Sequence, residues 1–414
     1  MRSHTRRAVL GAAAGVGVGF AGCTGLVEES RDIVADDRTT ESTPETTTTP
    51  EPFDSVDGRW ERYMGDLGAT GNTDDYGPAT DPRTVWRFRA SDHVGSPVVA
   101  DGKVFIGDDA DGVVCLDART GDQEWELRES ITNSRFVRSL AVHEDRLYAS
   151  LNWGDHNTRH YELSFSGDEL WQTGNPRSNR TTAVVTDAHL YAVSVVTHDD
   201  DDILHAFDRE TGEVVWKTED PLDTDRTDTD VYGPVVHDGL PYVGHDDYVS
   251  LVDPTDGSPQ WTVEIEDGGY ATAFPTAADD ALYSAHVRTL VALDAGSGEH
   301  LWSADFDSSI RNSVAVDEES VYVVNANGAF ALDRETGERL WSYSLEGSQD
   351  RSAPVVGVDT VYFGMDQTLH AVTADGGEQR WTIRFDGEIR SAPAVVGNKL
   401  FVGAGEELVA VGVE

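Results

Sequence analysis

The sequence predicts an all-β fold, an eight-bladed β-propeller of four-stranded antiparallel blades. Three observations predict it: a short motif that recurs along the chain, a near-regular series of tryptophans, and two chain ends that each carry part of one blade. The motif is clearest at Cys115-Leu116-Asp117-Ala118-Arg119-Thr120-Gly121, at residues 206–212 ending in Gly212, and at residues 331–337 ending in Gly337. Weaker copies end at Gly167, Gly257, Gly298 and Gly377. In every copy a tryptophan follows the glycine by four residues: Trp125, Trp171, Trp216, Trp261, Trp302, Trp341 and Trp381.

Each unit reads as four short apolar strands separated by turn residues, for example around Val355, Tyr362, His370 and Trp381. The glycine suits a turn position with positive φ, and the Asp and Thr of the motif can hydrogen-bond their own backbone there. The tryptophan is a large apolar plate that can pack between neighbouring sheets. Repeats of about 40 to 45 residues with four strands each are propeller blades.

Trp86 is the eighth tryptophan of the series and has no glycine four residues before it. The last unit stops after Leu408-Val409-Ala410-Val411, one strand short. The strand at Trp86–Arg89 is therefore expected to complete the blade that begins near Pro393, so that the two ends of the chain pair and no sheet edge stays open at the junction. Trp60 and Trp153 fall off the pattern.

These residues resemble the repeat of pyrroloquinoline-quinone (PQQ) propellers, whose blades carry Ala-x-Asp-x-x-Thr-Gly-x-x-x-Trp. The resemblance runs from Trp86 to the C-terminus. It implies one of two functions: a quinone-dependent dehydrogenase of alcohols or sugars, or a lipoprotein propeller that acts as a scaffold, as in bacterial outer-membrane protein assembly. Trp60-Glu61-Arg62-Tyr63 to Asp66, with Gly71 and Gly77-Pro78, looks like the lead-in of archaeal members of this repeat family and is expected to lie across one face as a strap.

The N-terminal region is of a different kind. Arg6-Arg7 precede an apolar run from Ala8 to Ala21, then Gly22-Cys23. A charged start, a short apolar stretch and a small-residue cleavage site describe a signal peptide too short for a stable membrane span. The context resembles the twin-arginine export signal, with Arg6 and Arg7 as its pair, and Phe20-Ala21-Gly22-Cys23 resembles a lipobox in which Cys23 is lipidated. The following segment, rich in Thr, Glu, Asp and Pro, cannot bury enough apolar surface to offset ordering and reads as a disordered stalk. The expected organisation is a lipoprotein signal over 1–22, the stalk over 23–54, the strap over 55–85 and the propeller over 86–414. The protein is thus expected on the outer face of the cytoplasmic membrane, held by its lipid alone.

Composition narrows the function. The chain carries 76 acidic against 31 basic side chains, a formal net charge of −45. That balance excludes a general nucleic-acid binder, which needs a basic surface to release counterions. Lys103, Lys217 and Lys399 are the sole lysines. Abundant hydrated carboxylates with few lysine stems are expected of a halophilic protein, in which salt screens self-repulsion.

Catalytic signals are weak. The resembling dehydrogenases hold a bivalent cation beside the quinone through a Glu, an Asn and an Asp, and often carry adjacent cysteines. Here Cys115 stands apart from Cys23 and fills the motif slot held by Ala206, Ala292, Ala331 and Ala371, as a small core residue would. Acidic loops at Asp108, Asp109 and Asp111, at His198 with Asp199–Asp202, and at His245-Asp246-Asp247 lack the ordered spacing of a calcium loop. No metal site and no cofactor are expected, PQQ with Ca²⁺ entering under the dehydrogenase alternative alone. His205 and His370 share the slot before the motif alanine and read as structural.

One constellation points to binding. Aligning blades on their first strand places Arg180, Arg311, Arg351 and Arg390 at one position, three residues before it, with Arg138 one place away. The first strand of a propeller blade is innermost, so these arginines are expected to ring one mouth of the channel. Guanidinium groups converging in so acidic a chain can take carboxylate or phosphate in a two-pronged geometry; alternatively each pairs with a neighbouring loop Asp, such as Asp366. Asn179-Arg180-Thr181 is a glycosylation sequon on that rim. The function expected is a non-enzymatic cell-surface scaffold that holds a protein or peptide partner on a propeller face.

Overall fold

A computed structural model describes residues 53–78, 80–108, 112–127, 136–152, 157–176, 183–194, 203–219, 231–245, 247–265, 269–346 and 350–413. The described chain forms eight four-stranded antiparallel sheets, each a meander, arranged as the blades of a propeller. The first strands are Val98–Ala100, Phe136–His143, Ala183–Val185, Val231–His237, Thr276–Ala278, Ala315–Val316, Val355–Val356 and Ala394–Val396, for blades 1 to 8. From blade 1 to blade 7 each first strand lies against the next, and that of blade 8 lies against that of blade 1, so they line the axis.

Blade 8 closes the ring with both ends of the chain. Its outer strand is Arg83–Arg89, paired antiparallel with Glu407–Gly412 and with Trp86 opposite Ala410. Ion pairs Arg87–Glu407 (2.8 Å) and Arg89–Glu406 (2.6 Å) flank this seam. Closure leaves no unpaired strand at the junction, as the sequence predicted.

Burial follows position in the blade. Second strands such as Ala281–His286 and Thr360–Met365 are buried throughout, because sheets cover both their faces. Outer strands such as Arg339–Ser344 alternate, with Trp341 inward and its neighbours Leu340 and Ser342 outward.

The motif residues build the interfaces between blades. In the third strand the alanine slot pairs directly with the tryptophan, as in Ala371 with Trp381, Ala331 with Trp341 and Cys115 with Trp125. A register shift follows immediately and turns the strand into the Asp-x-x-Thr-Gly loop. There Asp333 accepts from the Thr336 backbone N–H and hydroxyl, both at 2.8 Å, and Asp208 does the same with Thr211. The glycine takes positive φ, 71° at Gly337, and lies flat on the indole of the preceding blade. A Cβ on Gly121, Gly212 or Gly337 would come within 2.5–2.7 Å of Trp86, Trp171 or Trp302.

Six of the indole N–H groups then find a carbonyl in the next blade's turn. Trp86 donates to Ala118, Trp125 to Phe165, Trp171 to Arg209, Trp216 to Pro254, Trp302 to Arg334 and Trp341 to Ala374, at 2.8–3.1 Å. Trp261 breaks the series. Its Nε1 is buried with no partner among the described residues, while the Ala295 carbonyl accepts the Tyr242 hydroxyl instead.

A second aromatic position completes each interface. Phe105, Tyr148, Tyr191, Tyr242, Tyr283, Tyr322, Tyr362 and Phe401 sit in the second strands and pack on their own blade's tryptophan, ring centroids 5.7–6.2 Å apart. The sequence carries this signal as an aliphatic-aromatic pair such as Leu190-Tyr191 or Val361-Tyr362. The tryptophan count alone did not reveal it.

Candidate functional site

The two mouths of the channel differ. Residues from Phe53 to Pro78 run around the ring on the side where first strands end. Trp60 pairs with Val99 of blade 1, and the Glu61 carbonyl accepts from Val142 of blade 2. The carbonyls of Leu67, Gly68, Thr70 and Gly71 then accept from Val236, Ala277, Val316 and Val356, in blades 4, 5, 6 and 7. Gly77 donates to Gly397 of blade 8. Backbone hydrogen bonding thus follows the blade order and covers this mouth with chain.

The strap sends Arg62 and Tyr63 into the channel. Arg62 Nη1 donates to the Leu67 carbonyl at 2.9 Å and to the Asp66 carbonyl at 3.4 Å, which holds the strap's own turn. Burial pulls the Arg62 guanidinium down to about 10, still charged at neutral pH. Arg62, Tyr63, Gly95, Ser96, Ser139 and Phe274 line a cavity of about 160 Å³. Its walls come from blades 1, 2, 3 and 5, which places it on the axis.

The opposite mouth carries the arginines, where bridges such as Arg351 with Met365 and Ile310 with Asn325 join the lead into a first strand to the end of the second. Arg390 is exposed and ion-paired to Asp350 (2.8 Å) and Glu388 (2.6 Å). Arg351 is buried and donates to the Ser309 carbonyl at 2.8 Å. Burial, and then the charge of Arg311, lowers its pKa. Arg311 is exposed. The structure therefore brings Arg311 and Arg351 within electrostatic reach and sets Arg390 between two carboxylates. Arg180 and Asn179 lie outside the described residues, as do Arg6, Arg7, Cys23, Asp109, Asp111, Asp246 and residues 198–202.

A family profile described as outer membrane protein assembly factor BamB matches residues 78–188, 245–366 and 330–413. The chain belongs to this family. It is 27% identical over 269 residues to the BamB of Yersinia pestis, covering 59% of this chain and 66% of that protein. It is also 27% identical over 196 residues to the serine/threonine-protein kinase AfsK of Streptomyces coelicolor, 46% of this chain and 21% of the kinase. The chain thus spans two thirds or less of these curated relatives. Among solved structures, BamB from Moraxella catarrhalis superposes with TM-score 0.65 at 17% identity, over 81% of this chain and 98% of that one. Quinohemoprotein alcohol dehydrogenase from Comamonas testosteroni gives 0.68 at 14% identity, over 86% and 80%. Likeness at these identities is a likeness of fold.

Among the described residues no three His, Cys, Asp or Glu side chains come together as a metal site. Cys115 is buried opposite Trp125, and burial drives its thiol up to about 12, so it is an inert core residue rather than half of a redox pair. His205 and His370 are buried against Phe207 and Phe363, centroids 5.5 and 5.1 Å apart, as packing residues.

Proposed function

We propose that this protein is an exported lipoprotein scaffold, anchored through Cys23 to the outer face of the cytoplasmic membrane. Its arginine-bearing propeller face holds an acidic segment of a protein partner. The single observation that carries the reading is the asymmetry of the two mouths. The strap covers one with backbone hydrogen bonds from seven blades, while the other keeps Arg311 exposed beside Arg351 in a chain of net charge −45. Electrostatic complementarity of that kind selects partners and speeds encounter more than it adds raw affinity. Membership of the BamB family supports a scaffold role, since the proteins for which it is described are assembly factors.

The test is site-specific photo-crosslinking in native membranes. A crosslinker at position 311 is expected to capture a discrete partner, and Arg390→Glu is expected to weaken capture several-fold, whereas a crosslinker at exposed Asp74 on the strap side captures none. Equal capture from both faces would overturn the assignment of the surface. Saturable, stoichiometric binding of PQQ with calcium by the purified chain would overturn the scaffold reading and favour a dehydrogenase.

A further inference from the structure

We propose that the channel cavity above Arg62 is an anion site, which holds one small monovalent anion, a halide or a compact carboxylate. The strap positions a guanidinium where water is largely excluded: Arg62 is 7% exposed. Its Nε is buried with no hydrogen-bond partner among the described residues, and the Nη1 contacts go to neutral carbonyls. The carboxylate whose charge acts on it, Asp66, does not pair with it. The Asp66 carboxylate is engaged by the Thr70 backbone N–H at 2.9 Å and by the Thr70 hydroxyl. A buried charge without an opposite charge in hydrogen-bond contact is costly, and a bound counter-ion removes that cost.

The rest of the lining suits an anion. Ser96 Oγ accepts the Ala392 N–H at 3.2 Å, and Ser139 Oγ accepts the Ala183 N–H at 3.1 Å. Each serine therefore has its oxygen engaged by backbone and its hydroxyl hydrogen left to donate. A guanidinium and two hydroxyl donors, with no carboxylate among the described lining residues, favour an anion over a cation. Its 160 Å³ is close to the roughly 150 Å³ cavity known to admit benzene, which sets an upper size on the ligand. The site is formed by strap and propeller together, so an anion there ties Arg62 to blades 1, 2 and 3. This inference does not depend on the scaffold reading, because the site lies on the axis and not on the partner-facing rim.

The experiment uses the purified full chain in sodium gluconate, whose anion exceeds the cavity, with ionic strength held constant. Sodium bromide and sodium formate are then titrated separately while thermal stability is followed. A saturable rise in midpoint is expected, since a ligand that binds the folded state alone stabilises by mass action. Bromide saturation with formate inert identifies a halide, and formate saturation identifies a carboxylate. Arg62→Gln should abolish the rise. If that variant fails to fold, Ser96→Ala with Ser139→Ala should weaken the apparent affinity at least tenfold while the fold persists. Crystals exchanged into bromide should show anomalous density in the cavity beside the Arg62 guanidinium. No saturable response to either anion, or bromide confined to the outer surface, would overturn the proposal.

Discussion

Trp381 donates its indole N–H to the Pro78 carbonyl at 2.8 Å, across 303 residues of sequence. Six counterparts donate to the turn between the third and outer strands of the next blade. Blade 8 has no such turn, because its third and outer strands come from opposite ends of the chain. The strap supplies the missing acceptor, and the Tyr76 carbonyl beside it takes the Tyr362 hydroxyl at 2.9 Å. Trp381→Phe is therefore expected to cost about 1–3 kcal/mol, from one lost hydrogen bond and reduced packing. Deleting residues 53–78 should expose Trp381 while leaving Trp341 shielded. Chemical denaturation and hydrogen exchange resolved by blade check both outcomes.

Two glycines share a backbone conformation and differ in surroundings. Gly102 and Gly337 have φ of 75° and 71°. A Cβ at Gly102 meets nothing within 4 Å, whereas at Gly337 it lies 2.5 Å from Trp302. Gly102→Ala should cost about 1–2 kcal/mol for the left-handed conformation alone. Gly337→Ala should cost a further 1–3 kcal/mol or so, because the indole must move. Equal losses in urea denaturation would show that the glycine is kept for its φ and not for the close approach.

Stability should fall as pH drops below about 6.5. Burial lowers His160 to about 3 and His370 to about 4, below their ordinary 6.5. The unfolded chain therefore binds protons that the folded chain refuses, and stability present above 6.5 is lost on acidification through that window. Each histidine contributes a slope that approaches about 1.4 kcal/mol per pH unit. His370→Phe places in blade 7 the residue that blade 6 has at Phe330, and should remove that histidine's share while the Tyr343 hydroxyl keeps Gln379 at 2.7 Å. Denaturation at pH 8 and pH 5 in constant salt measures the difference.

The rim arginines should separate stability from binding. Arg390 is half-exposed, with its carboxylate partners Asp350 and Glu388 also accessible to solvent. Arg390→Ala is thus expected to change stability by less than about 1 kcal/mol. Arg311→Glu should leave the fold intact and weaken capture of an acidic partner, with the loss greatest at low salt. A stability loss above a few kcal/mol for either variant would mean that the rim is structural.

Much of the fold could be read locally. Strand length, the φ-positive glycine, the turn-forming Asp and Thr, and the tryptophan four residues on all act within one repeat of the chain. Repetition of that unit then dictates a ring, and the partial units at the two ends dictate its closure. The candidate site was visible in part. The shared position of Arg311, Arg351 and Arg390 followed from alignment, but a linear pattern carries no information on which guanidinium finds a carboxylate. Arg62 gave no repeating signal at all, since the strap occurs once.

The sequence by itself determined an eight-bladed closed propeller in a strongly acidic chain, because those properties arise from short-range periodicity and composition. Tertiary structure alone decided that the strap completes the interface at Trp381, that Arg62 lines an axial cavity, and that Arg390 is paired while Arg351 is buried. Each of these depends on contacts between residues tens to hundreds of positions apart, where burial and the nearest charge are set by the closed ring.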